Sequence, residues 1–232
     1  MKKKISVVIP ILNEKKNILK LVNELKKSIK SFNYEVIFVD DNSTDGSIEI
    51  LKKIKEFNGR FNFIINTGIR DLTQSCFKGI LKSKNKIIVI MDGDLQHNPK
   101  YIGKMYAQLV NKKKDIVIAS RNFDETSTSS LSIIRTTFSK ILILMLRIIS
   151  GKNYVDPMSG YFMFKKKIFT KNKNKFFGKG YKILADFIYN VPNLRISEIT
   201  ISFRRRNKGN SKMNFRILII LIIFMFKKLI KN

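Results

Sequence analysis

Cysteine and histidine each occur once in this 232-residue chain, as Cys76 and His97, and tryptophan does not occur at all. A single cysteine excludes an intrachain disulfide, so nothing calls for an oxidising compartment. Cys76 falls on the apolar face of an expected helix with no base in view, and it reads as a packed core thiol rather than a nucleophile. A single histidine excludes histidine-rich zinc sites. Acids are scarce as well: 17 Asp and Glu stand against 46 Lys and Arg, a formal charge of +29. Such an excess favours polyanionic partners, whether nucleic acid, anionic headgroups or phosphorylated substrates. A leader pattern is also missing, because the first lysines run directly into a strand with no long apolar segment or small-residue cleavage site. The expected location is the cytoplasm or the cytoplasmic face of a membrane.

What is present is a regular alternation. Ile5–Ile9, Glu35–Val39, Phe61–Ile65, Ile87–Met91 and Ile116–Ala119 read as strands, separated by helical periodicity at Lys15–Lys30, Ser47–Glu56, Leu72–Leu81 and Pro99–Asn111. That order predicts an α/β fold: a Rossmann-like, mostly parallel sheet with helices on both faces. After Arg121 the pattern changes. A Ser/Thr-rich loop at Thr126–Ser130 precedes an apolar helix over Leu131–Ile149, which serves as a core helix or as a membrane-facing one. Tyr161–Phe164 and Ile196–Phe203 read as further strands, and Lys165–Lys175 as a solvated surface. Residues 1–212 form one expected domain, with 213–232 as an apolar tail. Its core, Ile217–Phe226, is bounded by Arg216 and by Lys227 and Lys228. It falls short of the roughly 20 apolar residues a spanning helix needs. The expectation is a membrane-associated C-terminal helix, peripheral or a short anchor, or one covered by a separate membrane subunit.

Chemistry concentrates at the ends of the expected strands. The run Ile87–Met91 stops at Asp92-Gly93-Asp94-Leu95-Gln96-His97. Two carboxylates at the end of a buried strand repel each other unless a cation lies between them, and hard oxygen ligands suit Mg²⁺ or Mn²⁺ bridging a diphosphate. The second strand ends in Asp40-Asp41-Asn42-Ser43-Thr44-Asp45-Gly46-Ser47. Ser43 or Asp45 would cap the following helix, but capping does not need both Asp40 and Asp41, and one of those carboxylates can accept from a base or ribose. Pro10-Ile11-Leu12-Asn13-Glu14 follows the first strand, where open backbone N–H groups would receive a nucleotide and Asn13 is a good N-cap.

These three motifs, in this order and spacing, closely resemble the family 2 glycosyltransferases of the A-type fold. Within that family the match is best to the polyprenyl-phosphate sugar transferases of the dolichol-phosphate mannose synthase kind. The resemblance continues through Ala119-Ser120-Arg121, Asp156-Pro157-Met158-Ser159-Gly160, Gly180-Tyr181-Lys182-Ile183-Leu184 and Phe203 to Lys212, covering roughly residues 4–212. It implies that Pro10, Leu12, Glu14, Val39 and Asp41 hold the nucleotide. By the same likeness Asp92, Gly93, Asp94 and Gln96 bind donor and metal, with Asp94 and Gln96 the expected ligands. Arg121, Arg135, Lys182 and Arg206 match basic positions around the diphosphate or the acceptor phosphate. Arg121 and Arg135 are expected at the acceptor, and Asp94, Arg121 and Arg206 at the chemistry. Ser211 and Lys212 belong to the closing motif. Leu12 departs from a frequent tyrosine and removes a stacking surface, and Asp186 replaces a usual glutamate.

The implied activity is metal-dependent, inverting transfer of a hexose from a nucleotide-sugar to a polyprenyl or dolichyl phosphate. GDP-mannose and UDP-glucose are equally open as donors. Metal and basic side chains would neutralise the departing diphosphate. An acceptor phosphate, with a second pKa of about 6, needs little help from a base, so His97 is expected to position rather than catalyse. The alternative is a family 2 enzyme acting on a glycan or another lipid. A remote alternative is a nucleic-acid-binding protein, suggested by the charge and by Arg204–Arg206. Against it stand the missing tryptophan and the lack of any zinc-finger, homeodomain or RNP pattern.

Overall fold

Apolar residues run almost continuously along the early strands, so these strands bury both faces, and the chain builds three layers. A computed structural model describes residues 3–121, 156–180, 183–202 and 204. The order is β1 (Lys4–Ile11), α1 (Lys15–Ser28), β2 (Asn33–Asp40), α2 (Ser47–Phe57), β3 (Phe61–Ile65), α3 (Leu72–Lys82) and β4 (Ile87–Ile90). A 3-10 turn (Pro99–Tyr101) leads into α4 (Ile102–Asn111) and β5 (Ile116–Arg121). Then come β6 (Phe162–Lys165), α5 (Lys166–Asn172), a second 3-10 turn (Lys173–Lys175), α6 (Ile183–Asn190) and β7 (Ile196–Ile201).

The strands form one sheet in the order β3-β2-β1-β4-β6-β5-β7. β1 pairs in parallel with both β2 and β4, and β5 with β7, while β6 runs antiparallel to β4 and β5. The sheet grows outward through β2 and β3, then reverses to β4 on the far side of β1. Right-handed crossovers require the connecting helix to change faces at such a reversal. The packing agrees: Ile18, Leu21, Leu25, Leu51, Met105 and Leu109 of α1, α2 and α4 share a core with Val7 and Ile9. Cys76, Ile80, Phe169 and Phe187 of α3, α5 and α6 pack against Val8, Ile88 and Ile90 on the other face. Gly79 permits the close approach of α3, since a Cβ there would lie 2.3 Å from Val8 Cγ1. Burial pushes the Cys76 thiol well up, in keeping with a packed, inert core residue.

The Lys165–Lys175 stretch is not merely a solvated surface. It contains α5, which turns Ile168 and Phe169 into the core while its lysines face outward. Two apolar residues among many lysines were too few for the helical period to show. Among the described residues no helix is long and apolar enough to cross a membrane. The expected helix over Leu131–Ile149 and the apolar tail from residue 213 lie outside the described residues.

Asp115, at the foot of β5, ties three strands together. It accepts from Arg195 Nε at 2.9 Å and Nη2 at 3.1 Å, and from Lys165 Nζ at 3.0 Å. The Arg195 hydrogen bonds, joined by Lys165 against an opposing effect of burial, hold its carboxyl well below the usual carboxylate range. A depressed folded-state pKa stabilises the fold above the unfolded value of about 3.9, and this support fades as pH falls through the folded value. Asp115→Asn should therefore melt below the wild type at pH 5, and the gap should narrow as pH falls toward 2, followed by thermal denaturation across that range.

Candidate active site

β2, β1 and β4 are adjacent and parallel, so their C-terminal ends open on one edge of the sheet. β1 is where the strand order reverses, and that crevice is where open α/β sheets take ligands. Each strand end carries a non-glycine residue at positive φ: Asn13 (55°), Asn42 (62°) and Leu95 (66°). Asparagine tolerates this conformation, but a leucine held there costs about 1–2 kcal/mol. Buried Leu95 therefore marks a turn that the surrounding packing imposes between Asp94 and Gln96.

The turn after β1 is wired to the turn after β2. Asn13 N–H donates to Ser43 Oγ at 2.8 Å, Glu14 N–H to Ser47 Oγ at 3.1 Å, and Lys15 N–H to Asp45 Oδ2 at 2.9 Å. Thr44 N–H returns a bond to Asn13 Oδ1 at 2.9 Å. The structure corrects three expectations here. Asn13 is not an N-cap; Glu14 holds that position, without a side-chain capping bond. The N–H groups of Asn13, Glu14 and Lys15 are not open to a nucleotide, because Ser43, Ser47 and Asp45 already occupy them. Neither Ser43 nor Asp45 is the N-cap of α2, which is Gly46, although Asp45 Oδ1 accepts Ser47 N–H at 3.0 Å.

The two acids after β2 divide their tasks. Asp40 is fully buried, and its Oδ1 accepts Ser43 N–H at 2.7 Å, which shapes the turn. Asp41 Oδ1 accepts from Asn66 Nδ2 at 2.5 Å and from Ser75 Oγ at 3.2 Å. Asn66 is buried at the end of β3, its N–H bonded to Asp40 O at 2.7 Å, and its Oδ1 receives Lys78 Nζ of α3 and Gly68 N–H. Sequence reasoning missed Asn66, Ser75 and Lys78; the position of Asn66 directly after a strand was the available signal. Pro10 and Val39 are register partners, and the Val39 side chain is buried in the core against α3, so only its backbone faces a ligand. Leu12 is half-buried, and Glu14 Oε2 accepts from Asn17 Nδ2 at 2.6 Å.

The acidic motif after β4 is shaped by its neighbours. A Cβ on Gly93 would lie 2.6 Å from Ile11 Cγ2, so this turn lies directly on the end of β1. A Cβ on Gly160 would lie 2.6 Å from Asp92 Oδ2, so the Asp92 carboxylate also touches the chain entering β6. Asp94 is buried, and its Oδ1 accepts Gln96 N–H at 3.1 Å. Gln96 Nε2 donates to Arg204 O at 3.3 Å, which turns Gln96 Oε1 the other way, while Arg204 N–H donates to Gln96 O at 3.2 Å. His97 is buried beside Tyr161, with ring centroids 5.1 Å apart. Its Nδ1 accepts Asp92 N–H at 3.2 Å and lies 3.6 Å from Asp92 Oδ2. His97 orients the motif, as expected.

Among the described residues no three His, Cys, Asp or Glu side chains group into a metal cage. Mg²⁺ and Mn²⁺ bind through one or two carboxylates and take remaining ligands from phosphate and water. Asp92, Asp94 and Gln96 Oε1 make such a sparse oxygen set.

Basic residues flank this crevice. Arg121, at the end of β5, donates through Nε at 2.7 Å and Nη2 at 3.0 Å to the fully buried Asp156. Burial works against the guanidinium charge, but Asp156 more than restores it, and the net shift is upward. Asp156 N–H and Ser120 Oγ both donate to Glu198 of β7, and Ser159 Oγ donates to Ala119 O. The Asp156–Gly160 motif is thus a brace that aims Arg121 and leaves room for Asp92. Arg204 Nη1 donates to both carboxylate oxygens of Glu24 at 2.9 and 2.8 Å. Asp186 accepts Phe177 N–H and Gly178 N–H at 2.9 and 2.8 Å, and Asp71 accepts Gly180 N–H at 2.6 Å, fixing the loop that precedes Lys182. Burial raises the Asp71 carboxyl despite the N–H groups of Gly180, Gln74 and Thr73. Arg135, Lys182, Arg206, Ser211 and Lys212 lie outside the described residues.

Paired acids and a braced arginine thus edge a crevice at the switch point of an α/β sheet. The model for glycosyl transferase family 2 matches residues 6–172, and the chain belongs to that family. It is 29% identical over 214 residues to a dolichol-phosphate mannosyltransferase of Pyrococcus furiosus, covering 90% of this chain and 59% of that protein. It thus spans little more than half of that relative's length. A Saccharomyces cerevisiae protein of the same name is 29% identical over 224 residues, covering 92% of this chain and 82% of its own. The fold is similar to that of glucosyl-3-phosphoglycerate synthase from Mycobacterium tuberculosis, in complex with Mn²⁺, UDP-glucose and phosphoglyceric acid. The TM-score is 0.74 at 15% identity, covering 97% of this chain and 79% of that one.

Proposed function

We propose that this chain transfers a hexose, with inversion, from a nucleotide-sugar to a polyprenyl or dolichyl phosphate at the cytoplasmic face of a membrane. The observation that carries this reading is the placement of Asp41 at the end of β2 and of Asp92 and Asp94 beyond β4, flanking β1 on one sheet edge. The names of the relatives from Pyrococcus furiosus and Saccharomyces cerevisiae support hexosyl transfer to a lipid phosphate. Asp94 and Gln96 would hold Mg²⁺ or Mn²⁺, with Asp92 beside them, and the ion would supply positive charge to the leaving diphosphate. Arg121, steadied by Asp156, would present the acceptor phosphate, with Arg135 alongside. Lys182 and Arg206 would meet the diphosphate, and Asp41 the base or ribose.

The absence of a general base among these assignments is consistent. A phosphate monoester is already largely dianionic near neutrality, its second pKa being about 6, and His97 is engaged through Nδ1. The apolar tail from residue 213, with or without a separate membrane subunit, would bring the crevice to the headgroups where such an acceptor lies. The test pairs radiolabelled nucleotide-sugars with Mg²⁺ or Mn²⁺ and either a short polyprenyl phosphate or free oligosaccharides. Transfer to the polyprenyl phosphate alone is the expected outcome. Transfer to free glycans but not to the lipid phosphate would replace the reading with a glycan-directed family 2 enzyme.

A further inference from the structure

Asp41 meets the crevice with one oxygen rather than two. Its Oδ1 accepts from both Asn66 Nδ2 and Ser75 Oγ, which fills the lone-pair positions of that atom. No hydrogen bond to Asp41 Oδ2 occurs among the described residues. The amide of Asn66 cannot flip to relax this arrangement, since its Oδ1 end serves the Lys78 ammonium, which has no acceptor, and its Nδ2 end serves a carboxylate. Rotation of Asp41 would strand buried Ser75 Oγ and leave Asn66 Nδ2 only its 3.3 Å bond to Ile69 O, and losing such partners is costly.

Nucleobases differ in how many donors they offer side by side. Guanine presents N1–H and N2–H next to each other, a pair that suits both oxygens of one carboxylate. Uracil presents a single N3–H between two carbonyl oxygens, so one carboxylate oxygen fits it and a second would face a carbonyl lone pair. We infer that Asn66, clamped between Lys78 and Asp41, sets the donor base by holding Asp41 as a single-oxygen acceptor, and that the donor is a uridine diphosphate sugar. The inference rests on the donor-site reading of Asp41 above. Asn66 is a positioning residue: it acts through Asp41.

Isothermal titration of the full chain with UDP and with GDP, each in the presence of Mn²⁺, tests it. UDP should bind at least about tenfold more tightly than GDP, the discrimination expected from one well-placed hydrogen bond. Asn66→Ala and Ser75→Ala should each bring the UDP-to-GDP ratio closer to one, which a purely structural loss would not do because it would weaken both nucleotides alike. Equal or tighter binding of GDP by the wild type overturns the inference and leaves the glycosyltransferase reading standing. Binding of neither nucleotide overturns both. Should Asn66→Ala fail to fold, the wild-type ratio still decides.

Discussion

Asp94→Asn should lose sugar transfer by about 10³-fold in kcat while keeping its fold, the scale seen when one preorganised electrostatic contact to developing charge is removed. The isosteric change keeps an oxygen to accept Gln96 N–H, now 3.1 Å from Asp94 Oδ1, so the turn around Leu95 can persist. What disappears is the negative charge beside Asp92. Asp94→Ala should be as inactive, and somewhat less stable, because it also removes the turn-closing acceptor. Single-turnover transfer rates and thermal melts of both variants provide the check. Activity surviving in Asp94→Asn at the wild-type level would remove Asp94 from the charge-bearing role and leave it only the task of shaping a turn.

The second large effect belongs to Asp156. Its carboxylate is fully buried and accepts two bonds from Arg121, whose side chain is 26% exposed. Removing one partner of a buried pair strands the other and costs about 3–5 kcal/mol. The partial exposure of Arg121 places Asp156→Ala near the lower end, about 3 kcal/mol, or roughly 6–12 °C in melting temperature for a chain of this size. The same variant should raise the KM for the lipid phosphate, since Arg121 loses the partner that aims it. Arg121→Ala should raise that KM as well. A melting temperature unchanged in Asp156→Ala would mean that the brace between β5, β7 and the Asp156–Gly160 turn does not hold the site.

Much of this molecule is legible before any coordinates are consulted. Ile5–Ile9 and Ile87–Met91 announce buried strands through runs dominated by β-branched residues, and the helices between them show themselves by their apolar period, because each is long enough for a period to register. α5 escaped notice for the converse reason: in Lys166–Asn172 only Ile168 and Phe169 are buried, and short helices rich in lysine look like surface. The antiparallel course of β6 has no local signature either, since a strand of this kind reads the same in either direction. Ser43 or Asp45 reads locally as the cap of α2, yet Gly46 holds that position, and their bonds to the α1 turn join residues about 30 positions apart.

The candidate site divides along the same line. The sequence by itself determined which acids end which strands, because burial of the apolar runs obliges the chain to turn where Asp40, Asp41 and Asp92 stand. It also determined the order βαβαβ and hence a shared edge for those acids. Only the tertiary structure decided what each carboxylate does there. Asp40 closes a turn, Asp41 is held through one oxygen by Asn66 and Ser75, and Asp92 fits against Gly160. The physical reason is one of range. A strand's burial depends on residues a few positions apart, whereas the direction of a buried carboxylate depends on donors brought to it from other strands and helices, and those distances exist only once the sheet has formed.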